Sequence, residues 1–406
     1  MKEAVFCIDI GTSSLKAALI SMHGEVFSFA RVRFENKPMP FCWQSALQES
    51  LIILRSSTKE NININSICIS GNGPTVVSDK FFHLWNHPNG TQEDMKRYNL
   101  LSGKSLFLPR LLYCMEYYAK EWESSKLVFS GPEYLIYTLT GTAVTVLPEK
   151  RFEAAYWNDE SLEKCKIPKE KIPPFVAPGF FAGNLLETEA KVLNLKCSTK
   201  VYCGLPDFIA ALIGTSTLKS GRLCDRAGSS EGLNLCVEKI ITNSNIRFLP
   251  SVVEGLWNAS VLLPESGARF ARFKKNSEYK ELSSAETVKE LLKNKNSDGY
   301  KLLCSISEEV KNGINLLEKT TGFSIETMRV TGGQAHNSQW NQFKANMLGI
   351  KIETTQILDA ELMGNAITAF VGMNLFSSLT EGAEALVKTA QVFEPQLNSK
   401  SSNIIK

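Results

Sequence analysis

Hydrophobic and polar positions at the start of the chain follow the period of a β-strand. Residues 4–10 form a nearly continuous apolar run, interrupted only by Asp9. A Gly11-Thr12-Ser13-Ser14 turn leads into a second apolar run at 16–20. After His23-Gly24-Glu25, residues 26–34 alternate, with Val26, Ser28, Ala30 and Val32 on one face and Phe27, Phe29, Arg31 and Arg33 on the other. The pattern predicts a three-stranded antiparallel meander. Leu47, Leu51 and Leu54 then recur at helical spacing, predicting a helix over 43–56. Residues 64–69 read as a buried strand, stopped by Gly71-Asn72-Gly73-Pro74. A helix is expected over 108–125, with Leu111, Leu112, Met115 and Trp122 on its apolar side. Pro168, Pro173, Pro174 and Pro178 mark a loop-rich stretch, followed by a strand at 201–204 and a helix at 208–218.

The opening pattern then returns. Residues 222–227 predict a strand, Gly228-Ser229-Ser230-Glu231-Gly232 a turn, and 233–237 a second strand. A strand, a Gly/Ser turn and a strand thus open each half, which points to an internal duplication. The expected domains are 1–221 and 222–406, the second shortened, and a length of 406 residues suits two or three domains. Helices at 305–319, 339–348 and 359–373 are expected around a strand at 327–331, with a loose tail at 398–406.

Composition removes several function classes. The 45 basic and 42 acidic residues leave a net charge of +3, with basic positions scattered, so neither nucleic acid nor a membrane surface is an expected partner. No window reaches the roughly 20 apolar residues of a membrane span, and the first apolar run is too short for a signal peptide. There are ten cysteines without a Cys-x-x-Cys pair and only four histidines, which argues against zinc and iron–sulfur sites. Cys7, Cys68 and Cys236 lie in apolar runs and read as small buried hydrophobes. A reduced, cytoplasmic protein is expected.

Four elements carry candidate chemistry. A Gly/Ser/Thr turn exposes backbone N–H groups and hydroxyls together and can hold an anion. Two such turns, one per half, would grip a polyphosphate from both sides of a cleft. Asp9, at a strand end, would then hold Mg²⁺ through its waters. The plain alternative is two ordinary hairpins, with Asp9 capping one. Third, Gly332-Gly333 follows a strand and precedes a helix, which suits close approach of a flat ligand or simply a tight turn. Fourth, Asp207 opens an apolar helix; it is a helix cap or a carboxylate that takes a proton from a substrate hydroxyl. The Gly-x-Ser-x-Gly at 228–232 is not a hydrolase elbow, because an alternating strand, not a helix, follows it. Walker A and Gly-x-Gly-x-x-Gly patterns are missing from the sequence.

Taken in this order, "DIGTSSLKAAL", "GLPDFIAALIGT", "DRAGSSEGLNL", "TGGQAHNSQWNQFKANMLG" and "DAELMGNAITA" resemble the FGGY family of carbohydrate kinases, most closely its xylulokinases. Weaker matches such as "ISGNGPTVV" and "EYLIYTLTGTAVT" extend the resemblance over most of the chain. It implies an α/β, actin-like ATPase (ribonuclease H-like) fold with two duplicated domains around a central cleft. It implies ATP and Mg²⁺ as cofactors and a small sugar, a ketopentose such as xylulose, as substrate. By position, Asp9 would lie at the metal and Gly11, Thr12 and Ser13 at the phosphates, with Gly228, Ser229 and Ser230 contacting them from the other domain. Gly332, Gly333, Gln334 and Asn337 would line the adenosine site, supported by Trp340 and Gln342. Asp207 would be the general base, and Asn72 and Trp85 would face the sugar. Domain closure would exclude water as a competing acceptor.

The sequence departs from the family pattern mainly on the sugar side. The family's Gln-Met-His-Gly is replaced by Asn72-Gly73-Pro74, and its Trp-Asn-Asp-x-Arg reads Trp85-Asn86-His87-Pro88-Asn89. The family's Gly-Glu-Arg-x-Pro segment has no counterpart in 273–305. One family Gly is Gln334 and one Asp is Asn346. The expectation is a retained nucleotide site with altered sugar specificity. The rival reading is a non-catalytic nucleotide- or sugar-binding relative acting as a sensor. A homodimer is the default assembly.

Overall fold

The computed structural model describes residues 2–34, 40–58, 60–87 and 105–396. The expected tail at 398–406, with Pro88 and Asn89, lies outside them. The chain divides into two compact units. One holds residues up to Gly214 together with Glu361–Leu386; the other holds Thr215–Ala360 and the segment from Val387 on.

The first unit is built on a six-stranded sheet. Its strands are β1 (Lys2–Ile10), β2 (Ser14–Ile20), β3 (Val26–Arg33), β4 (Ile62–Gly71), β5 (Phe181–Asn184) and β6 (Lys200–Pro206), in the order β3-β2-β1-β4-β6-β5. The hairpins β1–β2 and β2–β3 are antiparallel, as the alternation predicts, while β1, β4 and β6 run parallel. β1 is covered on both faces from Ala4 onward, hence its continuous apolar run. In β3, Ser28, Ala30 and Val32 are buried and the residues between them are not.

The second unit repeats this plan. Its strands are β7 (Leu223–Ala227), β8 (Glu231–Val237), β9 (Arg247–Pro250), β10 (Trp257–Leu263), β11 (Thr327–Thr331), β12 (Lys351–Thr355) and β13 (Thr389–Phe393). Their order is β9-β10-β8-β7-β11-β12-β13, with β7, β11 and β12 parallel. Removing edge strands β5, β9 and β13 leaves the same five-strand order in both units: two antiparallel strands, the first strand, and two parallel ones. The core beneath it joins Leu223, Leu235, Ala259, Val310, Leu317 and Val330.

Three expectations are corrected. The second unit begins at Thr215 rather than 222, and residues 361–386 return to the first. The reason is backbone contact: a Cβ on Gly364 would lie 2.0 Å from the Ala210 carbonyl oxygen, and one on Gly372 2.1 Å from that of Gly179. Helix Ala360–Gly372 therefore lies directly on first-unit backbone. The helix expected over 108–125 breaks into Leu108–Tyr117 and Ala119–Ser124. At the break Tyr118 has ψ 39°, and its ring stacks on Phe81 with centroids 5.5 Å apart. The helix expected at 305–319 spans Asp298–Thr321, because Ser297 caps its start by accepting from the Tyr300 N–H and Gly322 ends it at φ 78°. Among the described residues no helix is long and apolar enough to cross a membrane.

One buried carboxylate in the first unit makes stability depend on pH. Glu133 opens helix Glu133–Thr140 and is 4% exposed, and its Oε1 accepts from the Val146 N–H at 3.1 Å. Burial pushes its carboxyl from 4.5 up to about 7. The folded state thus holds this proton more tightly than the unfolded chain. Stability from the group is fully present below pH ~4.5 and lost as pH rises through about 7. The loss is about 3 kcal/mol at ~1.4 kcal/mol per unit. Glu133→Gln is expected to be more stable than wild type at pH 8 and to show little of that advantage at pH 4.5. Urea melts at both values check this; an equal difference at both would contradict it.

Candidate active site

In the first unit, β1, β4 and β6 are adjacent and parallel, so their carboxyl ends meet at one sheet edge, where open α/β sheets receive ligands. β1 ends near Asp9, β4 at Ser70-Gly71, and β6 passes at Pro206 straight into helix Asp207–Gly214. Asp9 is 3% exposed. Its Oδ1 accepts from the Ser70 hydroxyl at 3.0 Å. Lys16, its partner in the β1–β2 register, puts Nζ 3.8 Å from Oδ2. Burial pushes the Asp9 carboxyl up to about 7; Lys16 opposes this, while the charges of Glu361 and Asp207 add to it. Asp207 is thus close enough for its charge to act on Asp9, although 197 residues separate them in sequence.

Asp207 is half-buried, and its Oδ1 accepts from the Phe208 N–H at 2.6 Å. It therefore tethers the helix start through one oxygen. The two expectations for this residue, cap and proton acceptor, are compatible in geometry.

The turn between β1 and β2 is closed by the Gly11 N–H, which donates to the Ser14 carbonyl at 2.9 Å, leaving Thr12 and Ser13 exposed. Thr12 meets both residues expected to face the sugar. Its hydroxyl accepts from Trp85 Nε1 at 2.9 Å and from Asn72 Nδ2 at 3.4 Å. Thr75 ties the group together, donating to Asn72 Oδ1 at 2.9 Å and accepting from the Trp85 N–H at 3.2 Å. Arg110 holds the Trp85 carbonyl at 2.6 Å.

Sequence reasoning missed Ser70, Lys16, Glu361 and Asn365. Lys16 was legible by counting back across the hairpin from Asp9. Glu361 and Asn365 lie one helical turn apart, but nothing in their spacing shows what that turn faces.

In the second unit, β7 and β11 are parallel neighbours, so the turns that follow them share an edge. A Cβ on Gly332 would lie 3.0 Å from the Ala227 carbonyl, and its φ is 88°, a conformation glycine adopts without strain. The Gly228 N–H donates to the Ser230 carbonyl at 2.9 Å. The Ser229 carbonyl accepts from the Ala268 N–H at 2.8 Å, at the start of helix Ser266–Lys275. Gly333 and Gln334 begin a short 3₁₀ turn, and Gln334 is buried with no hydrogen bond to its side-chain amide. Asn337 caps helix Ser338–Leu348, accepting from the Trp340 N–H at 3.1 Å and donating to the Ser284 carbonyl at 3.2 Å. Trp340 packs edge-on against Phe270 at 4.7 Å. Gln342 bonds Asn346 and the Glu394 carbonyl at 3.0 and 2.8 Å.

Behind the Gly228–Ser230 turn lies a buried ionic cluster that sequence reasoning missed. Lys344, 1% exposed, contacts Glu231 and lies 3.0 Å from Asp225 Oδ2. Both carboxylates are fully buried. Burial pushes Asp225 up to about 7 against the pull of Lys344, with Glu231 adding to the rise.

Among the described residues no group of three or more His, Cys, Asp or Glu side chains is arranged to hold a metal ion. Mg²⁺ does not require one, since it keeps several waters and takes one or two carboxylates with substrate phosphates. The buried Asp9, together with a Glu361 Oε2 that accepts no hydrogen bond, fits that donor set.

Known proteins resemble this chain along its length. Residues 299–373 match the model for the FGGY family of carbohydrate kinases, C-terminal domain. A xylulose kinase from Staphylococcus epidermidis is 22% identical over 464 aligned positions, covering 97% of this chain and 93% of that protein. Those positions outnumber the 406 residues here, so the shortening is internal. A ligand-bound xylulose kinase from Lactobacillus acidophilus superposes with a TM-score of 0.80 at 16% identity, covering 97% of this chain and 94% of that one. A glycerol kinase from Plasmodium falciparum, solved with ADP, gives 0.76 at 15% identity, covering 98% and 95%. The fold is the expected α/β, actin-like ATPase type, with its five-strand plan duplicated.

Proposed function

We propose that this chain, which is similar along its length to FGGY carbohydrate kinases, transfers the terminal phosphoryl group of ATP to a hydroxyl of a small sugar, with a ketopentose such as xylulose the first acceptor to test. What supports the reading is that β1 and β6, which flank β4 and run parallel to it, bring Asp9 and Asp207 to the same edge of one sheet.

Asp207 is the proposed general base. Its carboxylate takes the proton of the acceptor hydroxyl as that oxygen bonds to the γ-phosphorus and the bond to the ADP oxygen breaks. Phosphoryl transfer asks mainly for position and neutralised charge, so an ordinary carboxylate is enough. Asp9 would hold the nucleotide's Mg²⁺ through water, and the ion, when bound, supplies charge neutralisation at the β- and γ-phosphates. Gly11, Thr12 and Ser13, and in the second unit Gly228, Ser229 and Ser230, are proposed phosphate contacts. Gly332, Gly333, Gln334 and Asn337 are proposed nucleoside contacts, with Asn337 also spent on capping its helix.

Asn72 and Trp85 are proposed to meet the sugar. Trp85 keeps 42% of its surface exposed while its indole N–H holds Thr12. The departures at Asn72-Gly73-Pro74 and after Trp85-Asn86 lie on the sugar side while the phosphate turns are kept, so an altered sugar preference with a preserved nucleotide grip is the expected phenotype. A cytoplasmic setting suits ten free thiols, and a homodimer is the proposed assembly.

The test is ADP release measured across ketopentoses, ketohexoses, polyols and glycerol. Turnover with at least one acceptor is expected. Tight ATP binding with no turnover on any of them would favour the sensor reading. In the same series Asp9→Asn is expected to weaken Mg-nucleotide binding roughly tenfold or more; unchanged affinity would remove Asp9 from the metal side.

A further inference from the structure

Helix Ala360–Gly372 buries mostly small and apolar side chains against the first unit, including Leu362, Ala366, Ala369 and Phe370. Two residues break that pattern. Glu361 is 7% exposed and Asn365 is fully buried. They stand one turn apart on the same helix face; Asn365 reaches the end of β1 and Glu361 the Lys16 side chain of β2. Asn365 Nδ2 donates to the Ile8 carbonyl at 2.8 Å and to Ser70 Oγ at 2.9 Å. That fixes the Ser70 hydroxyl, which in turn donates to Asp9 Oδ1. Glu361 Oε2 lies 3.7 Å from Lys16 Nζ and accepts no hydrogen bond.

Lys16 Nζ therefore stands 3.8 Å from Asp9 Oδ2 and 3.7 Å from Glu361 Oε2, an ion-pair distance from two buried carboxylates. Two anions share one cation there. A buried carboxylate is costly unless matched by a cation or hydrogen bonds, and Glu361 Oε2 is only half matched. Hard carboxylate oxygens, one of them short of donors, are what a hydrated divalent cation recognises.

We propose that Glu361 is a second carboxylate for the divalent cation that accompanies the nucleotide, with Lys16 the resident counter-ion of the pair until that cation arrives. The inference rests on the reading of Asp9 as the metal-side carboxylate and adds to it a residue from a different element. Asn365 is a positioning residue: it orients Ser70, and through it the Asp9 carboxylate.

The experiment is titration with Mn²⁺ alone, following free Mn²⁺ by electron paramagnetic resonance, repeated with ADP present. Lys16→Met removes the competing ammonium and is expected to bind Mn²⁺ roughly tenfold more tightly than wild type. Adding Glu361→Gln to that variant is expected to cancel the gain, and Glu361→Gln alone to weaken the Mn²⁺–ADP complex roughly tenfold. A double variant as tight as Lys16→Met, or Glu361→Gln with wild-type affinity, would overturn the proposal. Glu361→Asp, which keeps the charge but withdraws it by one methylene, serves if Glu361→Gln does not fold; it too must weaken binding. Asp9→Asn separates the two layers. If it alone weakens binding, Asp9 is the metal-side group and Glu361 is not. If Glu361→Gln alone does so, the reading of Asp9 fails and the role of Glu361 stands.

Discussion

Replacing Asp207 with Asn is expected to lower turnover on the best polyhydroxy acceptor by about 10³-fold, within the 10²–10⁴ that a positioned base contributes. Nucleotide affinity should stay within about twofold, because general-base loss acts on the transition state rather than on ground-state binding. The substitution separates the two roles that the geometry allows. Asp207 Oδ1 accepts from the Phe208 N–H. An Asn side-chain oxygen accepts the same bond and caps helices as well as Asp, so the helix start survives. What Asn cannot do is take a proton from a hydroxyl. If Asp207 serves only as a cap, Asp207→Asn will turn over like wild type. Steady-state kinetics with a separate nucleotide-binding titration decides between them.

The second large effect is on stability. Lys344→Met is expected to destabilise the second unit by about 3–5 kcal/mol, the cost of leaving buried charge without its partner. Both Asp225 and Glu231 are fully buried, and Lys344 is the cation they share. Two units with separate cores need not unfold as one transition, so the measurement is hydrogen exchange at the amides of β7 and β8. Their protection should fall in Lys344→Met. It should recover substantially when Asp225→Asn and Glu231→Gln are added, because removing all three charges also removes the desolvation that Lys344 was offsetting. Unchanged protection in the single variant would show that the cluster contributes nothing to holding β7 and β8 together.

How far the sequence anticipated this molecule depends on the range of the interaction concerned. The β1–β2–β3 meander and its repeat at 223–237 were legible because strand alternation and Gly/Ser turns are local, and the repeat gave the duplicated plan. Helix Ala360–Gly372 was legible as a helix. Its return to the first unit was not, because that depends on Gly364 and Gly372 meeting Ala210 and Gly179, far away in the chain. The break at Tyr118 was hidden for a related reason: the helical period continues through it, and the stacking partner, Phe81, lies 37 residues upstream. Ser297 and Gly322 did carry readable cap signals for the full length of helix Asp298–Thr321.

The site divides the same way. Asp9 and the two turns could be singled out from local residues. The role expected of Asp207 came from family resemblance, since an Asp at a helix start is ordinarily a cap. Lys344 was not singled out within "QWNQFKANMLG", yet it is among the most buried side chains of the described residues. Its partners are 119 and 113 residues away, and no spacing rule links them. Glu361 and Asn365 were hidden by the apolar sequence around them.

Phosphorus NMR of the full chain with Mg-ATP and D-xylulose tests the account at its centre. The expected spectrum shows a new phosphomonoester signal growing in step with ADP. ATP left intact, or ADP formed only together with inorganic phosphate, across xylulose and every other ketose, polyol and glycerol tried, would contradict it.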